Sequence, residues 1–150
     1  MAKVRNLNHV GVVVDDLRAA TEFFVDLGLE ASGTSSAEGA WVGDIIGLKD
    51  VSTQVAFVRT PDGSGTLELI KFQTPADPDA PQPLAANRLG LRHLAFVVDD
   101  LDAILDNLSA KGFTTVGTVH DYEDVYRLCY VRGPEEIIVE LAEELSATPG

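Results

Sequence analysis

Basic residues are scarce in this chain, which has 11 Lys and Arg against 24 Asp and Glu and a formal net charge of −13. Nucleic acids and anionic lipid surfaces attract proteins through clustered basic side chains, so we expect neither as a partner. Apolar runs of the roughly 20 residues that span a membrane are also lacking. The one cysteine, Cys129, has no partner for an internal disulfide, which favours a reducing compartment. We therefore expect a cytoplasmic protein that acts on a small molecule.

The sequence contains an internal repeat. Residues 7–17 align with residues 91–101 without a gap, 84 positions apart, and both segments contain Leu, His and Val-Asp-Asp-Leu at equivalent places. A second match closes each copy, where Val-Arg-x-Pro precedes a Glu-Leu pair in residues 58–69 and again in residues 131–141. Two matches in the same order predict two copies of one structural unit.

Each copy has the pattern of a βαβββ module. A β-branched run predicts a first strand, Asp15 or Asp16 can cap the helix that follows, and Gly28 ends it. We expect an α+β domain over residues 1–150, with a module at 4–73, a module at 89–145 and a linker at 74–88 that is rich in proline. The later strands are predicted at 29–33, 51–59 and 66–72 and at 114–119, 126–132 and 137–141, and 41–48 is either strand or a short helical turn.

Two histidines and two glutamates stand at equivalent places in the copies. In the first strands, His9 and His93 alternate with bulky apolar residues and therefore lie on the other face. Glu68 and Glu140 are each flanked by apolar residues in the last strands. A buried carboxylate without a partner is costly, and a divalent cation bound by these side chains would offset that cost. Taken singly, each residue is also compatible with an ordinary hydrogen-bonded or surface position.

These motifs resemble the vicinal oxygen chelate superfamily, which includes glyoxalase I, epimerases, extradiol dioxygenases and bleomycin or fosfomycin resistance proteins. The resemblance covers about residues 4–145. It implies paired βαβββ modules that form an incomplete barrel of mixed sheet around a metal cavity, and it implies a homodimer. The matching segments are Asn8-His9-Val10, Leu67-Glu68-Leu69, residues 92–100, and Pro134 with Val139-Glu140-Leu141.

By this resemblance His9, Glu68, His93 and Glu140 bind one divalent ion, which is Zn, Ni, Co, Fe or Mn. The two-His, two-Glu set is most similar to glyoxalase I, which implies a lyase or isomerase that works through an enediolate on the metal. Glu68 or Glu140 would be the catalytic base, and Glu140 is slightly favoured. Three alternatives stay open: a metal-dependent epimerase, an extradiol dioxygenase, and a resistance-type protein that binds a small molecule such as an antibiotic.

Candidates for substrate binding come from two parts of the sequence. Tyr122, Tyr126 and Arg127 lie in a segment between two predicted strands, where they could contact a substrate or belong to a solvated acidic hairpin. Trp41 and Phe57 could line the cavity, with core packing as the alternative. No arrangement of basic residues predicts glutathione binding.

Overall fold

The computed structural model describes residues 1–145. The chain divides into two compact units, and the boundary between residues 80 and 81 falls inside the proline-rich segment 74–88. Both units combine helices with a sheet of parallel and antiparallel strands, which confirms the predicted α+β class. Among the described residues, no helix is long and apolar enough to cross a membrane.

The first unit contains a four-stranded sheet. Strand β1 lies parallel to β4, and the other neighbours in the order β1-β4-β3-β2 are antiparallel. Strand β2 differs from the prediction, since it extends well beyond residue 33. The ambiguous segment 41–48 takes the helical alternative, and the helix ends at Ile46 with Gly47 as its cap at a φ of 75°. The elements are β1 (Val10–Val13), α1 (Leu17–Asp26), β2 (Glu30–Glu38), α2 (Ala40–Ile46), β3 (Ser52–Arg59) and β4 (Thr66–Thr74).

The second unit repeats this topology, but the segment between its helix and its last two strands differs. Strand β5 lies parallel to β9 in the order β5-β9-β8-β6, and a further strand, β7, pairs with β8. The predicted strand at 114–119 is reduced to two residues, and the strand at 120–122 was not predicted. The elements are β5 (His93–Val98), α3 (Leu101–Ala110), β6 (Thr114–Thr115), β7 (His120–Tyr122), β8 (Tyr126–Arg132) and β9 (Ile138–Glu144), with a 3-10 turn at Pro134–Glu136.

The second aspartate of each Val-Asp-Asp-Leu motif caps a helix. The Ala19 backbone N–H donates to Asp16 Oδ1 at 3.0 Å, and the Ala103 N–H donates to Asp100 Oδ1 at 3.0 Å. These bonds satisfy donors that have no partner inside the first turn of a helix. The choice between Asp15 and Asp16 that the sequence left open is thus decided for Asp16.

One face of each sheet is buried and carries the core. In the first unit Leu67 and Leu69 of β4 are buried, and α1 contributes the buried Phe23 and Phe24. In the second unit Val139 and Leu141 of β9 are buried in the same way, and α3 contributes Leu101 and Leu108. Helix α1 packs on β3 and β4, and α3 packs on β9, so this is the helix-covered face of each sheet. Because side chains alternate along a strand, the residues between the core positions lie on the other face.

The cap of α3 can be tested by comparing two adjacent aspartates. We expect Asp100→Ala to lower the free energy of unfolding by about 1 kcal/mol, because the first turn of the helix loses an acceptor. Asp99→Ala is the matched control, since Asp99 is an exposed neighbour of the same type. Urea unfolding followed by circular dichroism measures both changes. An equal loss in the two variants would show that the cap contributes no specific stability.

Candidate functional site

Glu68 and Glu140 occupy equivalent positions on the face of the sheet that the helices leave uncovered. In the first unit Glu68 of β4 pairs with Gly11 of β1, and in the second unit Glu140 of β9 pairs with Ala95 of β5. Both carboxylates therefore have a small residue beside them on the neighbouring parallel strand. A Cβ built on Gly11 would lie 3.6 Å from Ile70 Cδ1, which shows that Ile70, two residues from Glu68, extends on this same face.

His9 and Glu68 are in direct contact. His9 Nε2 lies 2.8 Å from Glu68 Oε2, and the two side chains are 41% and 23% exposed. The other ring nitrogen, Nδ1, lies 2.6 Å from the amide oxygen of Asn8, which can only accept a hydrogen bond. Both ring nitrogens of His9 thus face oxygen acceptors. With Nδ1 donating to Asn8, the lone pair at Nε2 of a neutral ring is directed toward the Glu68 carboxylate, where both groups could bind one cation.

In the second unit, His93 contacts an aromatic ring. The ring centroids of His93 and Tyr130 are 4.9 Å apart, with 40° between the ring planes. Tyr130 pairs directly with Glu140 across β8 and β9, so His93, Tyr130 and Glu140 share one face. The sequence prediction did not include Tyr130. A signal for it exists, because an aromatic residue precedes Val-Arg-x-Pro in both copies, and its counterpart Phe57 pairs with Glu68.

Each unit thus presents one of the two predicted histidines and one of the two predicted glutamates. Within neither unit, over the described residues 1–145, do three or more His, Cys, Asp or Glu side chains gather in a group that would hold a metal ion. The convergence of His9, Glu68, His93 and Glu140 on one ion stays a prediction.

A cavity of about 360 Å³ lies beside Glu140 in the second unit. Two of the residues predicted to bind substrate, Tyr122 and Tyr126, line it together with Glu140. Tyr122 is 55% exposed, and the two tyrosines pair with each other across β7 and β8. The remaining lining residues are apolar, namely Ala95, Phe96, Val97, Leu128 and Ala142.

Arg127 lies away from this cavity. Its guanidinium is 2.8 Å from Asp102 of α3 and 3.7 Å from Asp121, and this contact with the helix puts it on the helix-covered face of the sheet. Hydrogen bonding to the Asp102 carboxylate raises the pKa of Arg127, and the same bond lowers the pKa of Asp102. The structure therefore does not bring Arg127 together with Glu140. Cys129, two residues along on the same face, is buried, and burial raises the pKa of its thiol.

The two aromatic candidates of the first unit differ in exposure. Phe57 is half-buried and stands beside Glu68 on β3. Trp41 of α2 is 63% exposed, so it is not packed in a core. Neither residue lines the cavity beside Glu140.

Comparison with known proteins places this geometry in a family. A crystal structure of a glyoxalase family protein from Bacillus cereus is 38% identical, covers 97% of each chain and has a TM-score of 0.92. The Escherichia coli protein YaeR is 24% identical over 147 residues, which are 96% of this chain and 100% of YaeR. The fosfomycin resistance protein FosX of Listeria monocytogenes shares the fold, with a TM-score of 0.60, 16% identity and coverage of 97% and 96%.

A sequence model of one family also matches most of the chain, over residues 8–130. The matched range includes the first His, the first Glu and the second His of the repeat, and it confirms the resemblance that the motifs predicted. The chain belongs to the glyoxalase/bleomycin resistance protein/dioxygenase superfamily.

Proposed function

We propose that this protein is a metal-dependent lyase or isomerase of the glyoxalase type, which moves a proton between carbons of a small oxygenated substrate. The contact between His9 and Glu68 carries this proposal. The Nε2 and Oε2 atoms are 2.8 Å apart, which is a hydrogen-bond distance, and two adjacent ligand atoms of an octahedral ion at ~2.1 Å would lie at a similar spacing of about 3 Å. The pair is thus spaced like two ligands of the same ion, with Asn8 positioned to hold the ring in the required orientation.

The donor set also fits a divalent cation. Imidazole nitrogen and carboxylate oxygen suit Zn, Ni, Co, Fe or Mn, and two carboxylates balance the charge of the ion. When bound, such an ion would stabilise negative charge that develops on a substrate oxygen. FosX of L. monocytogenes, which shares the fold, has been crystallised with Mn(II). That precedent supports a metal in this fold and leaves the substrate of this chain open.

Glu140 is the better candidate for the base. It lines a cavity where a substrate has room, whereas Glu68 is already in contact with His9. A carboxylate here would take a proton from a carbon next to a carbonyl and return it to the neighbouring carbon. The substrate is rearranged without any outside oxidant or reductant. Tyr122 and Tyr126 line the same cavity, and a tyrosine hydroxyl can donate a hydrogen bond to a substrate oxygen.

The metal assignment can be tested with the three histidines of the chain. We expect His9→Ala and His93→Ala to lower the affinity for Zn or Ni at least tenfold, because each removes one of four ligands. His120→Ala is the matched control and should bind metal like the wild type, since His120 is an exposed residue of β7. Calorimetric titration of the metal-free proteins measures the affinities. Unchanged binding in both His9→Ala and His93→Ala would overturn the assignment.

The proton transfer can be followed by exchange in D₂O. With the metal-loaded protein, we expect deuterium to enter the carbons of hydroxyacetone, or of the hemithioacetal of methylglyoxal and 2-mercaptoethanol, and proton NMR measures this exchange. Glu140→Gln should slow the exchange at least a hundredfold, because the amide cannot accept the proton. The exposed Glu30→Gln is the control.

Three results would contradict this proposal. Exchange that survives in Glu140→Gln and is lost in Glu68→Gln would move the base to Glu68. Consumption of oxygen with a catechol, without exchange, would identify a dioxygenase instead. Tight binding of a ligand such as bleomycin by a metal-free protein that catalyses no exchange would identify a resistance-type binder.

A further inference from the structure

We infer that the cavity beside Glu140 binds an uncharged, apolar part of the substrate, an aryl or branched alkyl group. This inference rests on the proposed function only in taking the oxygenated end of the molecule to face Glu140. The lining residues, their register and the ion pairs around them carry the rest.

A difference between the two copies opens this cavity. Glu68 and Glu140 are equivalent in the two copies, so the residues two places further along β4 and β9, Ile70 and Ala142, are equivalent as well. Ile70 pairs with Val55 of β3, and Ala142 pairs with Leu128 of β8. In the first unit Val55 is only 5% exposed. In the second unit, Ala142 replaces the larger Ile and lines the cavity. The smaller side chain at this position of the second unit therefore contributes to the open space beside Glu140.

The outer wall of the cavity comes from the β7–β8 hairpin, which differs from its counterpart in the first unit in its side chains and in its turn. Strands β7 and β8 pair Tyr122 with Tyr126. Glu123 and Asp124 connect them with φ angles of 49° and 53°, and the Val125 N–H donates to the Tyr122 carbonyl at 2.9 Å, so the turn is tight. In the first unit the equivalent strands are joined through helix α2 instead of a tight turn, and Ala37 and Thr53 stand where the second unit has Tyr122 and Tyr126. Two aromatic rings facing small apolar residues form a surface that suits an aryl or branched alkyl group.

The charges around the cavity disfavour an anionic group. Glu140 is the one charged residue that lines it. The two arginines of β8 are engaged elsewhere, since Arg127 pairs with Asp102, and Arg132 lies 3.5 Å from Glu136 and donates to the Leu84 carbonyl at 3.0 Å. Apart from the ion proposed at Glu140, the lining holds no cation, so a carboxylate or phosphonate on the apolar side of the cavity would lose water with no charge of the protein to compensate. A neutral group carries no such cost.

The size of the cavity agrees with a small ligand. Pockets that bind small molecules measure about 300–1,000 Å³, and this one, at about 360 Å³, is near the lower end. The apolar part is therefore a single ring or a short branched chain.

Binding to the metal-free protein tests the inference without any need for catalysis. Three probes are compared by heteronuclear NMR titration: 2-hydroxyacetophenone, which is neutral and aromatic, hydroxyacetone, which lacks the ring, and mandelate, which keeps the ring and is an anion. We expect 2-hydroxyacetophenone to bind at least tenfold more tightly than either of the others. Its largest chemical-shift changes should be at Ala95, Tyr126 and Ala142.

A matched pair of variants locates the binding. Ala142→Ile restores the residue found in the first unit, fills the cavity, and should weaken the binding of 2-hydroxyacetophenone at least tenfold. Ala110→Ile makes the same change at an exposed position of α3 and should leave the binding unchanged. If Ala142→Ile does not fold, Tyr126→Leu removes an aromatic wall and should weaken the same probe.

Equal or tighter binding of mandelate would overturn the inference, as would undiminished binding in a folded Ala142→Ile protein. The selective binding of the neutral aryl probe without proton exchange would leave the cavity assignment standing and contradict the proposed function. Proton exchange on hydroxyacetone, without preferential binding of the aryl probe, would support the proposed function and contradict the assignment of the cavity.

Discussion

The alternation of side chains along β4 and β9 is the constraint on which the site depends. Leu67 and Leu69 in one unit, and Val139 and Leu141 in the other, are buried on the helix-covered face. The glutamate between each pair must then lie on the opposite face. A shift of register by one residue would bury both carboxylates and expose four core residues, so the hydrophobic effect that stabilises each unit also positions its acid group.

The equivalent His and Glu positions of the two units have different neighbours. His9 has both ring nitrogens engaged, by Asn8 and by Glu68, whereas His93 contacts the ring of Tyr130. Glu140 adjoins an open cavity, while Glu68 adjoins His9. The first unit therefore has the close His–Glu contact, and the second has the open cavity. This asymmetry gives a physical reason for the different roles that we propose for the two equivalent glutamates.

Much of this fold could be predicted from the repeat alone. The β-branched strands, the Asp caps and the glycines after the helices are local signals, and local hydrogen bonding and burial decide them. Helix α2 was ambiguous because its apolar residues fit a strand as well as a helix, and packing beside β2 decides between them. The short strand β6 and the strand β7 depend on pairing with β8, which no local pattern specifies. Proximity in sequence predicts that Arg127 lies with the tyrosines, but odd and even residues of β8 face opposite sides, and Asp102 holds Arg127 on the helix side.

We propose that one His from each copy of the repeat binds the same ion, and X-ray absorption at the zinc edge counts the imidazoles on that ion. The measurement is made on the Zn-loaded His120→Ala protein, in which any imidazole seen must belong to His9 or His93. We expect two imidazole nitrogens per zinc, with oxygen as the remaining ligands at about 2.0–2.2 Å. One imidazole per zinc, or none, would contradict it.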